Sequence, residues 1–361
     1  DKRKMRRAML AAIARRHHVP VAMVNQVGGN DSLIFDGSSV VLNAVGNVIA
    51  QARSFQEDLV LVDLATASAG DCLQELEENE DAAIYDALVL GTRDYVRKCG
   101  FSKAIVGISG GIDSALVATI ATEALGADNV LGVGMPSEYS SQGSIDDARQ
   151  LAQNLGIRWE LIPIRDIFEK HLEALRPVLE NHPPDITEEN LQARIRGTLL
   201  MALSNKLGAL VLTTGNKSEM STGYCTLYGD MVGALAIIGD VYKTCVYRLT
   251  RYANRDREII PENTLIKPPS AELRPGQQDT DSLPPYEVLD PILEAYVERY
   301  ETAEAIAESS LPPLEFALVR SILRMVERSE YKRQQAAPIL KVTQKSFGVG
   351  RRFPIAVKVQ V

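Results

Sequence analysis

The chain has 361 residues, 45% of them apolar and 24% charged, which are ordinary globular values with material for about two domains. A formal net charge of −8 argues against a nucleic-acid partner, which leaves a basic footprint, and no apolar run approaches the length of a membrane-spanning helix. Cys72, Cys99, Cys225 and Cys245 show no metal or disulfide spacing and point to a reducing, cytoplasmic setting, while His17, His18, His171 and His182 form no ligand cluster.

From the start, residues 2–18 read as a helix with Met5, Met9 and Ile13 on one apolar side. Residues 20–24 predict a strand. Runs 33–41 and 48–52 predict a hairpin around residues 43–47, with Gly46 supplying the turn. A further strand is expected at 59–64. Composition then changes: residues 65–83 are small, polar and acidic, and read as a linker running into a helix. Beyond it strand and helix alternate. Apolar strands are expected at 104–108, 130–135, 159–164 and 209–214, with helices around 114–125, 144–155, 166–180 and 188–207. Such alternation predicts an α/β fold, a parallel sheet with helices on both faces. Its ligands would bind outside the carboxyl ends of the strands, where Ser109, Pro136 and Thr214 fall. Residues 267–286 are rich in Pro, Gly, Asp and Gln and predict a mobile loop. Helices near 287–308 and 313–330 and an irregular basic tail complete the chain.

The most informative stretch is Ser109-Gly110-Gly111-Ile112-Asp113-Ser114, set between a strand and a helix. Paired glycines let the backbone approach a phosphate, and the free N–H groups and dipole of a helix start favour its negative charge. Ser109 and Ser114 add hydroxyls. Asp113 would repel a polyphosphate unless a divalent cation lies between them, and Mg²⁺ takes one or two carboxylates plus substrate phosphates. A capped glycine turn is the plainer reading. Five fixed positions recur by chance at only about 10⁻⁶ per position, which favours the functional one. No Walker A loop is present.

Four further features are more ambiguous. Arg194 and Arg196 near a helix start fit either a ligand or a solvated face. Glu219, in Thr213-Thr214-Gly215-Asn216-Lys217-Ser218-Glu219, is either a second metal carboxylate or a first-turn residue stabilised by the dipole. The hydroxyl- and aromatic-rich stretch 221–230 fits a polar nucleotide or a plain loop. Lys243, just before a helix expected from Val246, either meets a phosphate or is an ordinary surface lysine.

The Gly-rich loop resembles that of the N-type ATP pyrophosphatases, with their Rossmann-like adenine-nucleotide hydrolase fold. With Asn190 to Arg196, Thr214 to Asp230, Lys243, Ser270-Ala271-Glu272-Leu273-Arg274-Pro275 and Tyr331-Lys332-Arg333-Gln334-Gln335-Ala336-Ala337-Pro338, roughly residues 84–353 are similar to NAD synthetases. That resemblance implies ATP-dependent amidation of nicotinic acid adenine dinucleotide through an acyl adenylate. It implies that Ser109, Gly110, Gly111 and Ser114 hold ATP, and that Asp113 and Glu219 bind Mg²⁺. Arg194, Arg196, Thr214 and Lys243 would face ATP and the adenylate. Asn190, Tyr224, Thr226, Asp230 and Lys243 would face the dinucleotide, with Asp113 and Lys243 as the catalytic pair. Leu227 stands where ammonia-dependent members often carry Lys, which fits the glutamine-using branch.

Residues 1–64, through Val21 to Asp31 and Ile34-Phe35-Asp36-Gly37-Ser38-Ser39, look like the closing part of a nitrilase-type, α+β glutamine amidase. The resemblance places that domain's Glu–Lys–Cys set upstream of Asp1. The expected division is therefore 1–64 amidase tail, 65–83 linker and 84–361 synthetase, with ammonia or glutamine as nitrogen source and a homodimer or larger homo-oligomer as assembly. A GMP synthetase-like amidating enzyme, a tRNA-modifying relative and a non-catalytic ATP-binding module are the rival readings.

Overall fold

The computed structural model describes residues 2–64 and 79–356. Helix α1 (Lys2–His17) lays Leu10 and Ala11 on a small antiparallel sheet. The apolar side read from the sequence, Met5, Met9 and Ile13, is exposed: the helix is apolar on two sides, and the described sheet covers the other one. Five short strands follow, β1 (Val21–Met23), β2 (Val27–Asn30), β3 (Leu33–Asp36), β4 (Val40–Leu42) and β5 (Val48–Gln51). β1, β4 and β5 form one sheet, β2 and β3 a separate ribbon.

The expected hairpin is therefore split. Gly37 turns the chain with φ +63°, so residues 33–36 pair back onto β2, which the sequence reading missed, and only β4 pairs with β5. The run 59–64 forms no strand; Leu59 and Leu61 are exposed, and an apolar run without a neighbouring edge has no ladder to join. Most of the expected linker, residues 65–78, lies outside the described residues, as does Cys72.

Helix α2 (Glu80–Lys98) opens on Asn79, whose side chain accepts from the Asp81 and Ala82 N–H groups. The β2–β3 ribbon packs on it at close range. A Cβ on Gly29 would stand 3.1 Å from the Gly91 Cα, and the Gly29 N–H donates to Asp94 at 2.8 Å.

The alternating region then builds β6 (Ala104–Gly107), α3 (Ile112–Leu125), β7 (Val130–Gly134), α4 (Gln142–Leu155), β8 (Arg158–Leu161), α5 (Arg165–Leu179), α6 (Ile186–Leu207), β9 (Leu210–Thr213), α7 (Lys217–Thr222), β10 (Leu235–Ala236) and α8 (Lys243–Ala253). The sheet is five-stranded and parallel, in the order β10-β9-β6-β7-β8. Alternation along β6 explains the layers. Ala104 and Val106 join the core around α3 and α8, while Ile105 joins the opposite core with Phe168 of α5 and Ile195 of α6. α3 is Ala- and Leu-rich with hardly a polar face, because the sheet, α2 and α8 enclose it.

α9 (Glu262–Ile266), α10 (Tyr286–Glu298), α11 (Ala303–Ser309), α12 (Phe316–Arg328) and α13 (Glu330–Arg333) close the described chain. Leu289, Ile292 and Leu293 of α10 pack with Val319, Ile322 and Val326 of α12 in a second core that also takes Met220 of α7. The helix expected over 287–308 is two helices, broken where Tyr300 takes φ +58°. β8 stops at Leu161 rather than at 164, and the helix expected from Val246 begins at Lys243. β10 and α9 were missed; both are too short to show a period. Within 267–286 a 3-10 turn, Asp279–Asp281, is the one regular element before α10 begins at Tyr286. Among the described residues no helix is long and apolar enough to cross a membrane.

Candidate active site

Chain order and sheet order reverse between β6 and β9, so the crevice at their carboxyl ends is the topological switch point, the place where open α/β sheets bind ligands. A cavity of about 320 Å³ lies there. One side is the Gly-rich loop. The Ser114 hydroxyl is buried, accepts from the Ser109 N–H at 3.2 Å and donates to the Gly111 carbonyl at 2.9 Å. Ser109 Oγ accepts from the Gly111 N–H at 3.2 Å. These hydroxyls shape the loop itself. Gly110 sits at φ +83° against α4, where a Cβ would stand 2.2 Å from the Ser144 carbonyl oxygen. No other residue fits that position.

The facing side comes from α7 and α8. Asp113, in the first turn of α3, accepts from Asn216 Nδ2 at 2.9 Å and is ion-paired with Lys243 Nζ. Asn216 and Glu219 form a reciprocal capping box: the Glu219 N–H donates to Asn216 Oδ1 at 3.0 Å, and the Asn216 N–H donates to Glu219 Oε2 at 3.1 Å. Burial, then the nearby Asp113 carboxylate, pushes Glu219 well above the usual carboxylate range, and Lys243 only partly offsets this. Burial alone would lower Lys243, but Asp113 and Glu219 hold it above its ordinary value, so it stays an ammonium. Lys243 is 2% exposed, which removes the surface-lysine reading.

Thr214 lines the cavity at the end of β9, and Arg196 lines it from α6, its Nε donating to the Met135 carbonyl at 2.9 Å. Burial pushes Arg196 down to about 10, so it remains cationic at neutral pH. Arg194 does not join it. Two positions along a helix lie about 200° apart, so Arg194 points outward and donates to the Leu227 carbonyl at 3.2 Å. Tyr224 and Asp230 line the cavity, whereas Asn190 and Thr226 stand behind them. Thr226 Oγ1 donates to Asn190 Oδ1 at 2.7 Å, and the Thr226 N–H donates to Asp230 at 2.9 Å. Asp230 is crowded by protein on one side and open on the other; the crowding pushes it up to about 6.

Sequence reasoning did not assign Asn216, although N-x-x-E ahead of an apolar residue is a readable capping signal. It also missed the dock of the 267–286 loop. The Glu272 carboxylate accepts from Ser144 Oγ at 2.7 Å and from Ser141 Oγ at 3.0 Å, beside Gly110. Nothing local in the sequence pairs residues so far apart.

The sheet order and the glycine turn at its switch point define a Rossmann-like α/β protein with a phosphate-type cradle. A family model described as NAD synthase matches residues 84–336, and one described as carbon-nitrogen hydrolase matches residues 3–73. The glutamine-dependent NAD(+) synthetase of Synechocystis is 53% identical over 98% of this chain, and that of Thermotoga maritima is 49% identical over 97%. Among solved structures, the glutamine-dependent NAD+ synthetase of Acinetobacter baumannii in complex with adenosine diphosphate is 44% identical over 98% of this chain, with a TM-score of 0.69. The chain belongs to the NAD synthase family. It spans 64%, 67% and 65% of the lengths of these three relatives.

Proposed function

We propose that this chain carries out the ATP-dependent amidation of nicotinic acid adenine dinucleotide to NAD, with ammonia supplied by glutamine hydrolysis in the complete enzyme. The observation that carries this reading is the convergence of Asp113, on the Gly110 side of the switch point, with Asn216, Glu219 and Lys243 from the facing side. The family match and the nucleotide held by the Acinetobacter relative support it.

The substrate's carboxylate oxygen attacks the α-phosphorus of ATP. A P–O bond forms, the bond to the β-phosphate breaks, and pyrophosphate leaves. Ammonia then adds to the acyl carbon, loses a proton, and the C–O bond to AMP breaks. The first step needs positioning and charge stabilisation above all. The loop N–H groups and the Lys243 ammonium face the charge that pyrophosphate gathers as it leaves. Arg196 and Thr214 face the nucleotide. Tyr224 and Asp230 face the dinucleotide, with Asn190 and Thr226 bracing Asp230. Arg194 has no place in the lining of this cavity.

Two carboxylates on one cavity, Glu219 raised by burial first and by the Asp113 charge second, form an oxygen donor set suited to Mg²⁺. Asp113 and Glu219 would hold it, and when bound it neutralises phosphate charge. The free thiols Cys99, Cys225 and Cys245 support a cytoplasmic setting, and family likeness supports a homo-oligomer.

The test is NAD formation from the dinucleotide, ATP and Mg²⁺, with ammonium in one reaction and glutamine in another. Product with ammonium is expected. No product, with ATP still bound, turns the reading towards an ATP-binding module; product only when xanthosine monophosphate replaces the dinucleotide turns it towards the sister amidating enzymes. Asp113→Ala is expected to abolish pyrophosphate release, and near-normal release would remove the metal role.

A further inference from the structure

We propose that Asp290 is a positioning residue for the site: one buried carboxylate that locks the start of α7, which carries Glu219, to the start of α8, which carries Lys243. Asp290 lies on α10, outside the cavity lining, and is 4% exposed. Its two oxygens serve different helices. Oδ1 accepts from Ser218 Oγ of α7 at 2.5 Å. Oδ2 accepts from the Thr244 N–H and Thr244 Oγ1 of α8, each at 2.8 Å. Ser218 Oγ closes the link by accepting from the Lys243 N–H at 2.9 Å.

The local reason is a missing cap. The N-cap of α8 is Tyr242, whose side chain makes no capping bond, so the first N–H groups of α8 have no acceptor of their own. Ser218 and Asp290 supply that cap from elsewhere in the fold, and the negative charge suits the helix start. Asp290 sits in a stretch of α10 in which Leu289, Ile292 and Leu293 are each at most 1% exposed. Burying a charge among them costs free energy that only its bonded donors offset. An apolar residue would pack there but would leave α7 and α8 free to shift. Lys243 reaches Asp113 from the first residue of α8, so any movement of that helix start moves the ammonium directly. A misplacement of about 1 Å can cost about 10²-fold in rate.

The inference rests on the amidating reading for its kinetic arm and has a second arm that needs no turnover. In the first, Asp290→Asn retains its fold by circular dichroism, lowers kcat for pyrophosphate release about 30-fold and leaves KM for ATP within threefold. Ser218→Ala costs about fivefold, and adding it to Asp290→Asn costs nothing more, because both cut one link. In the second, limited acylation with acetic anhydride is read by mass spectrometry at Lys243. Label at Lys243 rises about tenfold in Asp290→Asn over the unaltered chain, while label at exposed Lys103 is unchanged. A folded Asp290→Asn with unaltered Lys243 labelling overturns the inference whatever the kinetics show. So does a kcat within twofold of the unaltered chain, or multiplicative losses in the double variant. An unaltered chain that releases no pyrophosphate, together with the rise in Lys243 labelling, overturns the functional reading and leaves the positioning role standing.

Discussion

The two sides of the cavity are assembled at different ranges of the chain. The loop at 109–114 is held by its own hydroxyls and by one close backbone approach to Ser144. The facing side is held by buried polar groups recruited from afar. Lys217 Nζ is fully buried and is bonded to Asp240 at 2.9 Å, Glu298 at 2.8 Å, Thr343 Oγ1 at 2.7 Å and the Lys345 carbonyl at 2.8 Å. Asp240 in turn accepts from the Val342 and Thr343 N–H groups at 2.9 and 2.8 Å. The tail expected to be irregular from residue 331 starts inside α13; the described residues after it, 334–356, form no helix or strand, yet they are pinned to the base of α7. A glycine loop fixes its own shape, whereas a pair of short helices needs the rest of the fold to hold it.

Removing the ammonium of Lys217 should break the second side most severely. Lys217→Met strands Asp240 and Glu298, a loss of about 3–5 kcal/mol for a broken buried pair, read as a lowered urea midpoint. A midpoint within error of the unaltered chain would show that the cluster is not needed to hold this side. Gly110→Ala should break the first side locally. It forces a Cβ against Ser144 at positive φ, and about 100-fold of pyrophosphate-forming activity is lost while the global midpoint moves less than in Lys217→Met. Full activity would sink the cradle role of the loop.

The two arginines sharpen the comparison further. Arg196→Ala should weaken ATP binding by calorimetry about tenfold, or ~1.4 kcal/mol, and Arg194→Ala should leave it within twofold. Equal losses would place Arg194 in the site after all.

The smallest effect lies outside the cavity. Asp36 accepts from Arg6 at 2.8 Å and from Arg3 at 2.5 Å, tying α1 to β3. Burial would raise this carboxyl, but Arg3 and Arg6 bring it below its ordinary 3.8. The native state therefore binds its proton less readily than the unfolded state. Its stabilising contribution is complete above 3.8 and is lost as pH falls through the depressed native value. Asp36→Asn should cost about 1 kcal/mol at pH 7 and less near pH 2, measured by urea unfolding at both. An equal cost at both pH values would show that charge is not what binds α1 there.

The sheet strands, the helices between them and the Gly110 loop were legible because their signals are local. Val106 and Ile105 alternate, α3 has no breaker between Ile112 and Leu125, and S-G-G-x-D-S names its own geometry. The same locality misled the reading at 59–64 and at 33–41, where apolar runs gave no sign of which edge, if any, they would meet. Sequence by itself determined the residue types and the side of the sheet on which they fall, since strand period and sheet order require both. Only the tertiary structure decided that Arg196 turns inward and Arg194 outward, that Glu219 is raised by burial and then by Asp113, and that Asp290 bonds to the start of α8. Each of these depends on burial and on partners from distant parts of the chain, and charge, dielectric and hydrogen-bond geometry have no value until packing sets the distances.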